Sequence, residues 1–180
     1  KVYAENGADE LTFLDITATI EERGTFTSLV RRISEVIDIP FTVGGGIRTI
    51  SDVGALLEAG ADKISINSIA VKDPSIIQSL ASEFGSQCVV CAIDVRYNHV
   101  SKKHEVYVSG GRIATSIDAI QWAKEVEMRG AGEILLTSMD SDGTKNGFAL
   151  DITRTISDSV GIPIIASGGA GKKEDFVDVF

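Results

Sequence analysis

The sequence predicts an α/β fold, a (βα)8 barrel of parallel strands, and two observations carry that prediction. Short runs of Val, Ile, Leu and Phe alternate with stretches of helical period. The runs lack strict alternation of apolar and polar residues, as in strands buried on both faces of a parallel sheet. The chain also repeats itself. Gly7-Ala-Asp-Glu-Leu-Thr-Phe-Leu-Asp-Ile-Thr17 echoes Gly130-Ala-Gly-Glu-Ile-Leu-Leu-Thr-Ser-Met-Asp140, and Ile39-Pro-Phe-Thr-Val-Gly-Gly-Gly-Ile47 echoes Ile162-Pro-Ile-Ile-Ala-Ser-Gly-Gly-Ala170, both at an offset of 123 residues. One offset shared by two separate βα units implies two similar halves of about four units each. A doubly wound sheet does not normally repeat in this way.

The elements follow in order. Strands are expected at Leu11–Ile16, Phe41–Val43, Ile64–Ile66, Cys88–Ile93, Glu133–Thr137 and Pro163–Ala166. Between them, helical stripes run through Phe26, Leu29, Val30, Ile33, Val36 and Ile37, then through Val53, Leu56 and Leu57. Asp73-Pro74 starts a third helix bearing Ile76, Ile77 and Leu80, since Pro suits a first turn. Ile117, Ile120, Ala123 and Val126 form a fourth stripe, and Ile152 with Ile156 a fifth. The chain opens on what reads as a helix end and closes inside what reads as another helix. The repeat places a counterpart of the Gly60–Asn67 unit just past Phe180, and a counterpart of the Asp94 strand before Lys1. The expectation is therefore a TIM barrel truncated to about six βα units, strands two to seven, with residues 1–180 as one partial-barrel domain.

Composition narrows the function. The chain has 180 residues, 43% hydrophobic and 24% charged, with 17 Lys and Arg against 26 Asp and Glu for a net charge of −9. That balance argues against wrapping nucleic acid. The absence of a long apolar run argues against a membrane span, and the opening residues do not read as a signal peptide. Cys88 and Cys91 would face opposite sides of one strand, so no disulfide is expected. Two free buried thiols suit a reducing cytoplasm.

Candidate chemistry gathers at strand ends. Gly44-Gly45-Gly46 and Ser167-Gly168-Gly169 follow repeat-related strands, and such loops let backbone N–H groups approach an anion. Two equivalent clusters predict a substrate with two phosphates. Asn67-Ser68 offers polar partners beside the first cluster. Asp15, Asp94 and Asp140 stand at strand C-terminal ends, where barrel enzymes place general acids and bases. Asp94 is favoured because it closes the apolar run Cys-Val-Val-Cys-Ala-Ile, whose burial shifts a carboxyl. Asp142-Gly143 reads by default as a turn. Arg96–Gly111 is a long excursion containing His99, His104 and a hairpin-like Glu105–Ser109, but neither histidine has metal-ligand spacing. Glu10, Lys63 and Glu133 sit at strand starts, on the opposite face, where charge alone reads as a salt-bridged rim.

Together the motifs resemble the cyclase subunit of imidazole glycerol phosphate synthase. They are Asp15-Ile-Thr-Ala, Phe41-Thr-Val-Gly-Gly-Gly-Ile-Arg48, Lys63-Ile-Ser-Ile-Asn67, Phe84-Gly-Ser-Gln87, Ala92-Ile-Asp94, Arg129-Gly-Ala-Gly-Glu-Ile-Leu-Leu-Thr137, Asp142-Gly-Thr-Lys-Asn-Gly147 and Ile165-Ala-Ser-Gly-Gly-Ala-Gly171. The resemblance spans the chain. It implies a lyase of histidine biosynthesis that uses ammonia to close an imidazole ring on a bisphosphorylated ribulosyl substrate, with no metal or organic cofactor. It implies Asp94 as one of two acid–base aspartates, the other on an earlier strand about 25–30 residues upstream of Lys1. It places one phosphate on Gly46, Asn67 and Ser68 and the other on Asp142, Gly143, Ser167 and Gly168, with Asp15 and Thr137 lining the pocket between. It turns Glu10, Lys63 and Glu133 into an ammonia gate facing a glutaminase subunit. Without the second aspartate, the 180-residue piece is expected to lack turnover. Gly147-Phe148-Ala149 departs from the family's Gly-Tyr-Asp, so a contact of that Asp is not carried over. The rivals are the sister barrel isomerase, which shares the Gly-Gly-Gly-Ile-Arg and Asp-Gly-Thr motifs, and an inactive phosphate-binding fragment.

Overall fold

A computed structural model describes residues 2–15 and 27–180. The first half runs α1 (Val2–Glu5), β1 (Leu11–Leu14), α2 (Thr27–Ser34), β2 (Phe41–Gly44), α3 (Ile50–Glu58), β3 (Lys63–Ile66), α4 (Ser68–Lys72) and α5 (Ser75–Phe84). The second half runs β4 (Val89–Asn98), β5 (Lys103–Val108), β6 (Ile113–Asp118), α6 (Ala119–Met128), β7 (Glu133–Ser138), α7 (Leu150–Ser157), β8 (Ile164–Ser167) and α8 (Glu174–Val179).

Six strands pair in parallel in the order β1-β2-β3-β4-β7-β8, the curled sheet of a half-barrel. All four residues of β2 are buried, as a strand covered on both faces requires. The repeat is structural: β8 starts and ends 123 residues after β2. The core packs Val43, Ile64 and Ile134 with Leu56, Leu80 and Ile156 from the covering helices. Burying each such side chain contributes about 1.5–3 kcal/mol. Helix starts are fixed locally. Thr49 and Asp52 make a reciprocal capping box on α3, and the Asp118 carboxylate accepts the N–H groups of Ile120 and Gln121 on α6.

The structure corrects several expectations. The alternation of βα units is interrupted, because β5 and β6 are antiparallel and hang from β4 as a hairpin extension. Ile117 therefore lies on β6 and not on α6. α2 ends at Ser34, whose hydroxyl turns back to the Arg31 carbonyl and across to the Ala59 carbonyl, so Val36 and Ile37 fall outside the helix. Cys88 sits half-buried in a 3-10 turn before β4, while Cys91 is buried on the strand, and both thiols are free. Ile16 and Phe26 lie outside the described residues.

β4 is the element that makes room for a site. One of its edges pairs with β7 from Val90 to Val95. The other pairs with β3 only up to Cys91, then takes up β5 from Asp94 onward. Asp94 stands where β4 changes neighbours, at the C-terminal end of β3.

Candidate active site

Asp94 sits at that exchange with its carboxylate turned toward β3. The Asn67 side-chain amide donates to Asp94 Oδ2 at 3.0 Å and also to the Tyr107 carbonyl at 3.4 Å, so one residue bridges the end of β3 to the strand that replaces it. Burial pushes the Asp94 carboxyl up to about 6. The Asn67 hydrogen bond opposes the rise, and the nearby Asp142 charge adds to it. A carboxyl near 6 exchanges its proton close to neutral pH, which is what general acid–base work requires.

A cavity of about 420 Å³ opens beside it. Asp15, Gly45, Gly46, Asn67, Ser68 and Asp94 all line it, so five sequence-predicted residues (Asp15, Gly46, Asn67, Ser68 and Asp94) converge on one space. Gly45 and Gly46 both have positive φ. At Gly45 the need for glycine is absolute: φ is +100°, and a Cβ there would overlap the Asp15 carbonyl oxygen. Gly45→Ala is expected to destabilise the complete protein by about 1–3 kcal/mol, read as a lower midpoint in chemical denaturation. The loop is tied down from its far side, because Asp52 Oδ2 accepts the Arg48 and Thr49 backbone N–H groups, each at 2.9 Å. Ser68 Oγ accepts the Ser109 N–H at 2.9 Å, which brings the end of β5 onto the cavity rim. Arg48 and Lys72 also line the cavity. Sequence reasoning missed both, since nothing in the spacing of two exposed cations signals that they line one cavity.

The second glycine cluster lies at the same end of the sheet but outside this cavity's lining. Thr137 is in register with Asp94 on one side and with Ser167 on the other. Asp142 packs on Gly168, where a Cβ would approach Asp142 Cβ to 3.0 Å. Asp142 and Gly143 occupy the turn expected for them. Asp140 is engaged elsewhere: it accepts the Tyr97 N–H at 2.9 Å and pairs with Arg96 at 3.6 Å. His99 and His104 pack edge-on against Tyr97. Among the described residues no three His, Cys, Asp or Glu side chains converge to hold a metal ion, and no helix is long and apolar enough to cross a membrane.

At the opposite, N-terminal end of the strands, Lys63 Nζ donates to Glu10 Oε2 at 2.9 Å and to Glu133 Oε1 at 2.8 Å. Thr42 Oγ1 donates to Glu10 Oε1 at 2.6 Å. Glu10 and Glu133 are themselves 123 residues apart, so the repeat supplies both carboxylates of one lysine. Burial presses the Lys63 pKa down, but the hydrogen bonds and charges of Glu133 and Glu10 outweigh it and hold the group above its ordinary value. Along β3 the side chains alternate, so Lys63, Ser65 and Asn67 share one face from this rim to Asp94. Glu133 Oε2, Ser65 Oγ and Asn67 Oδ1 are buried there with no hydrogen-bond partner among the described residues.

The comparisons with known proteins agree with this geometry. The chain matches the family of histidine biosynthesis proteins over residues 1–180. It is 59% identical over 179 residues to the imidazole glycerol phosphate synthase subunit HisF of Prochlorococcus marinus (strain NATL1A), covering 99% of this chain and 70% of that protein. It is 61% identical over 178 residues to the protein of that name from Flavobacterium psychrophilum, and 56% over 179 residues to that of a Hydrogenobaculum species, covering 99% of this chain and 70% and 71% of theirs. None of the three bears an isomerase name, so that rival reading is not favoured. With its parallel half-barrel, its strand-end carboxylate and its repeat-related glycine loops, the chain belongs to the histidine biosynthesis protein family, in the line of the synthase subunit HisF.

Proposed function

We infer that the complete protein performs the cyclase reaction of imidazole glycerol phosphate synthase, with this chain supplying Asp94 and the phosphate-binding loops. Ammonia attacks the keto carbon of the bisphosphorylated phosphoribulosyl formimino aminoimidazole carboxamide ribonucleotide. The keto oxygen leaves as water, the imidazole ring closes on the formimino carbon with release of the aminoimidazole amine, and imidazole glycerol phosphate and aminoimidazole carboxamide ribotide leave. The observation that carries this reading is Asp94, a buried carboxyl near 6 on the wall of a polar cavity at the strand ends. Protonated, Asp94 gives a proton to a departing oxygen; ionised, it takes one as the ring closes. Gly46, Asn67 and Ser68 hold one phosphate through backbone and side-chain donors. Asp142, Gly143, Ser167 and Gly168 form the loop pair for the other, with Asp15 and Thr137 between them.

The partner is a glutaminase subunit that docks on the N-terminal rim and delivers ammonia. The Glu10–Lys63–Glu133 cluster is the gate, and the unpartnered polar atoms of Glu133, Ser65 and Asn67 mark the route for a small polar molecule. A cytoplasmic setting suits the two free thiols. The test is to supply the complete protein with the bisphosphorylated substrate and an ammonium salt, and to follow both products by chromatography. Formation of imidazole glycerol phosphate is expected. Isomerisation alone, or no reaction, overturns the reading.

A further inference from the structure

We propose that Arg48 and Lys72 form a cationic collar that recognises one substrate phosphate at the Gly46–Ser68 end of the cavity. The inference rests on the cyclase reading and adds to it two specificity-determining residues. Both residues line the same cavity as Gly46, Asn67 and Ser68. They reach it from two elements. Arg48 leaves a loop whose backbone is clamped by Asp52, so its point of departure is fixed. Lys72 closes α4 four residues after Ser68, which puts both residues on one face of that helix.

Their charges are available. Four other basic side chains spend theirs on carboxylates: Lys63 on Glu10 and Glu133, Arg96 on Asp140, Lys103 on Asp118 and Arg129 on Glu125. Among the described residues, neither Arg48 nor Lys72 has a carboxylate within ion-pair distance. In a chain of net charge −9, two uncommitted cations at one cavity mouth make a local positive field against an overall repulsion of phosphate. Backbone N–H groups at Gly45–Gly46 supply directional contacts, and the guanidinium and ammonium supply the opposing charge that a phosphate dianion needs.

The experiment uses the complete protein with Arg48→Gln, Lys72→Gln, the double variant and Lys72→Arg. Steady-state kinetics with ammonium should show the substrate KM rising about 10- to 30-fold in the double variant. Lys72→Arg, which keeps the charge, should recover most of the KM lost in Lys72→Gln, and the fall of kcat/KM with added salt should be shallower in the double variant. The two products carry one phosphate each, so product inhibition locates the collar. The inhibition constant should rise for one product only. A wild-type KM in the double variant, or an equal rise for both products, overturns the collar. Failure of the wild-type protein to form imidazole glycerol phosphate would instead count against the cyclase reading, so the two failures are distinguishable.

Discussion

Asp94→Asn in the complete protein is expected to lower cyclase turnover about 100- to 10,000-fold, the range lost when a positioned acid–base group is removed. The amide keeps the shape and can still accept from Asn67, so substrate binding should survive while proton transfer does not. The same change should stabilise the protein at pH 8. The Asp94 carboxyl rises from 3.8 to about 6 on folding, so the folded state holds its proton more tightly than the unfolded chain does. Above pH 6 the buried charge opposes folding; the opposition shrinks as pH falls from 6 toward 4 and vanishes below the ordinary carboxyl value. Asparagine carries no charge at any pH. The variant's advantage should be about 1–3 kcal/mol at pH 8 and near zero at pH 4, read from denaturant midpoints. A variant that is both less active and less stable at pH 8 would point to lost packing instead of lost proton transfer.

Lys63→Met is the second large effect. Removing the ammonium leaves Glu10 Oε2 and Glu133 Oε1 confronting each other, where each now has an ion pair. Breaking one side of such a cluster strands the other. The loss should be about 1–3 kcal/mol, below the value for a fully buried pair because the Lys63 side chain retains 19% exposure. Denaturation midpoints at pH 7 read the loss. In the complex with a glutaminase subunit, glutamine-dependent turnover should fall further than ammonium-dependent turnover. Equal losses would assign Lys63 to the fold of the barrel and not to ammonia entry.

What the sequence made legible were features written in local pattern. Buried strands such as Phe41–Gly44 lack strict apolar–polar alternation, and the 123-residue offset places β8 from β2. Asp94, Gly46, Asn67 and Ser68 were readable as strand-end residues and do share one cavity. Features set by tertiary partners were not. Ile113–Asp118 mixes Thr, Ser and Asp with Ile and becomes a strand only because β5 is there to pair with it. Ile117 falls three residues before Ile120, so a helical stripe absorbed it. α2 stops at Ser34 because the Ala59 carbonyl, 25 residues away, takes its hydroxyl. Arg48 and Lys72 converge through the fold of β2, β3 and α4, and no spacing rule joins them. The rim followed the same logic in reverse: Glu10, Lys63 and Glu133 are far apart in sequence and meet because each begins, or directly precedes, an alternate strand of the half-barrel, β1, β3 and β7.

The pH dependence of cyclase turnover decides whether Asp94 transfers the proton. With the complete protein, saturating ammonium and limiting substrate, kcat/KM should break near pH 6 in the wild type, and the break should be absent from the residual activity of Asp94→Asn. A wild-type profile with no ionisation between pH 5 and pH 7, or an Asp94→Asn variant that keeps wild-type turnover and the same break, would contradict that transfer.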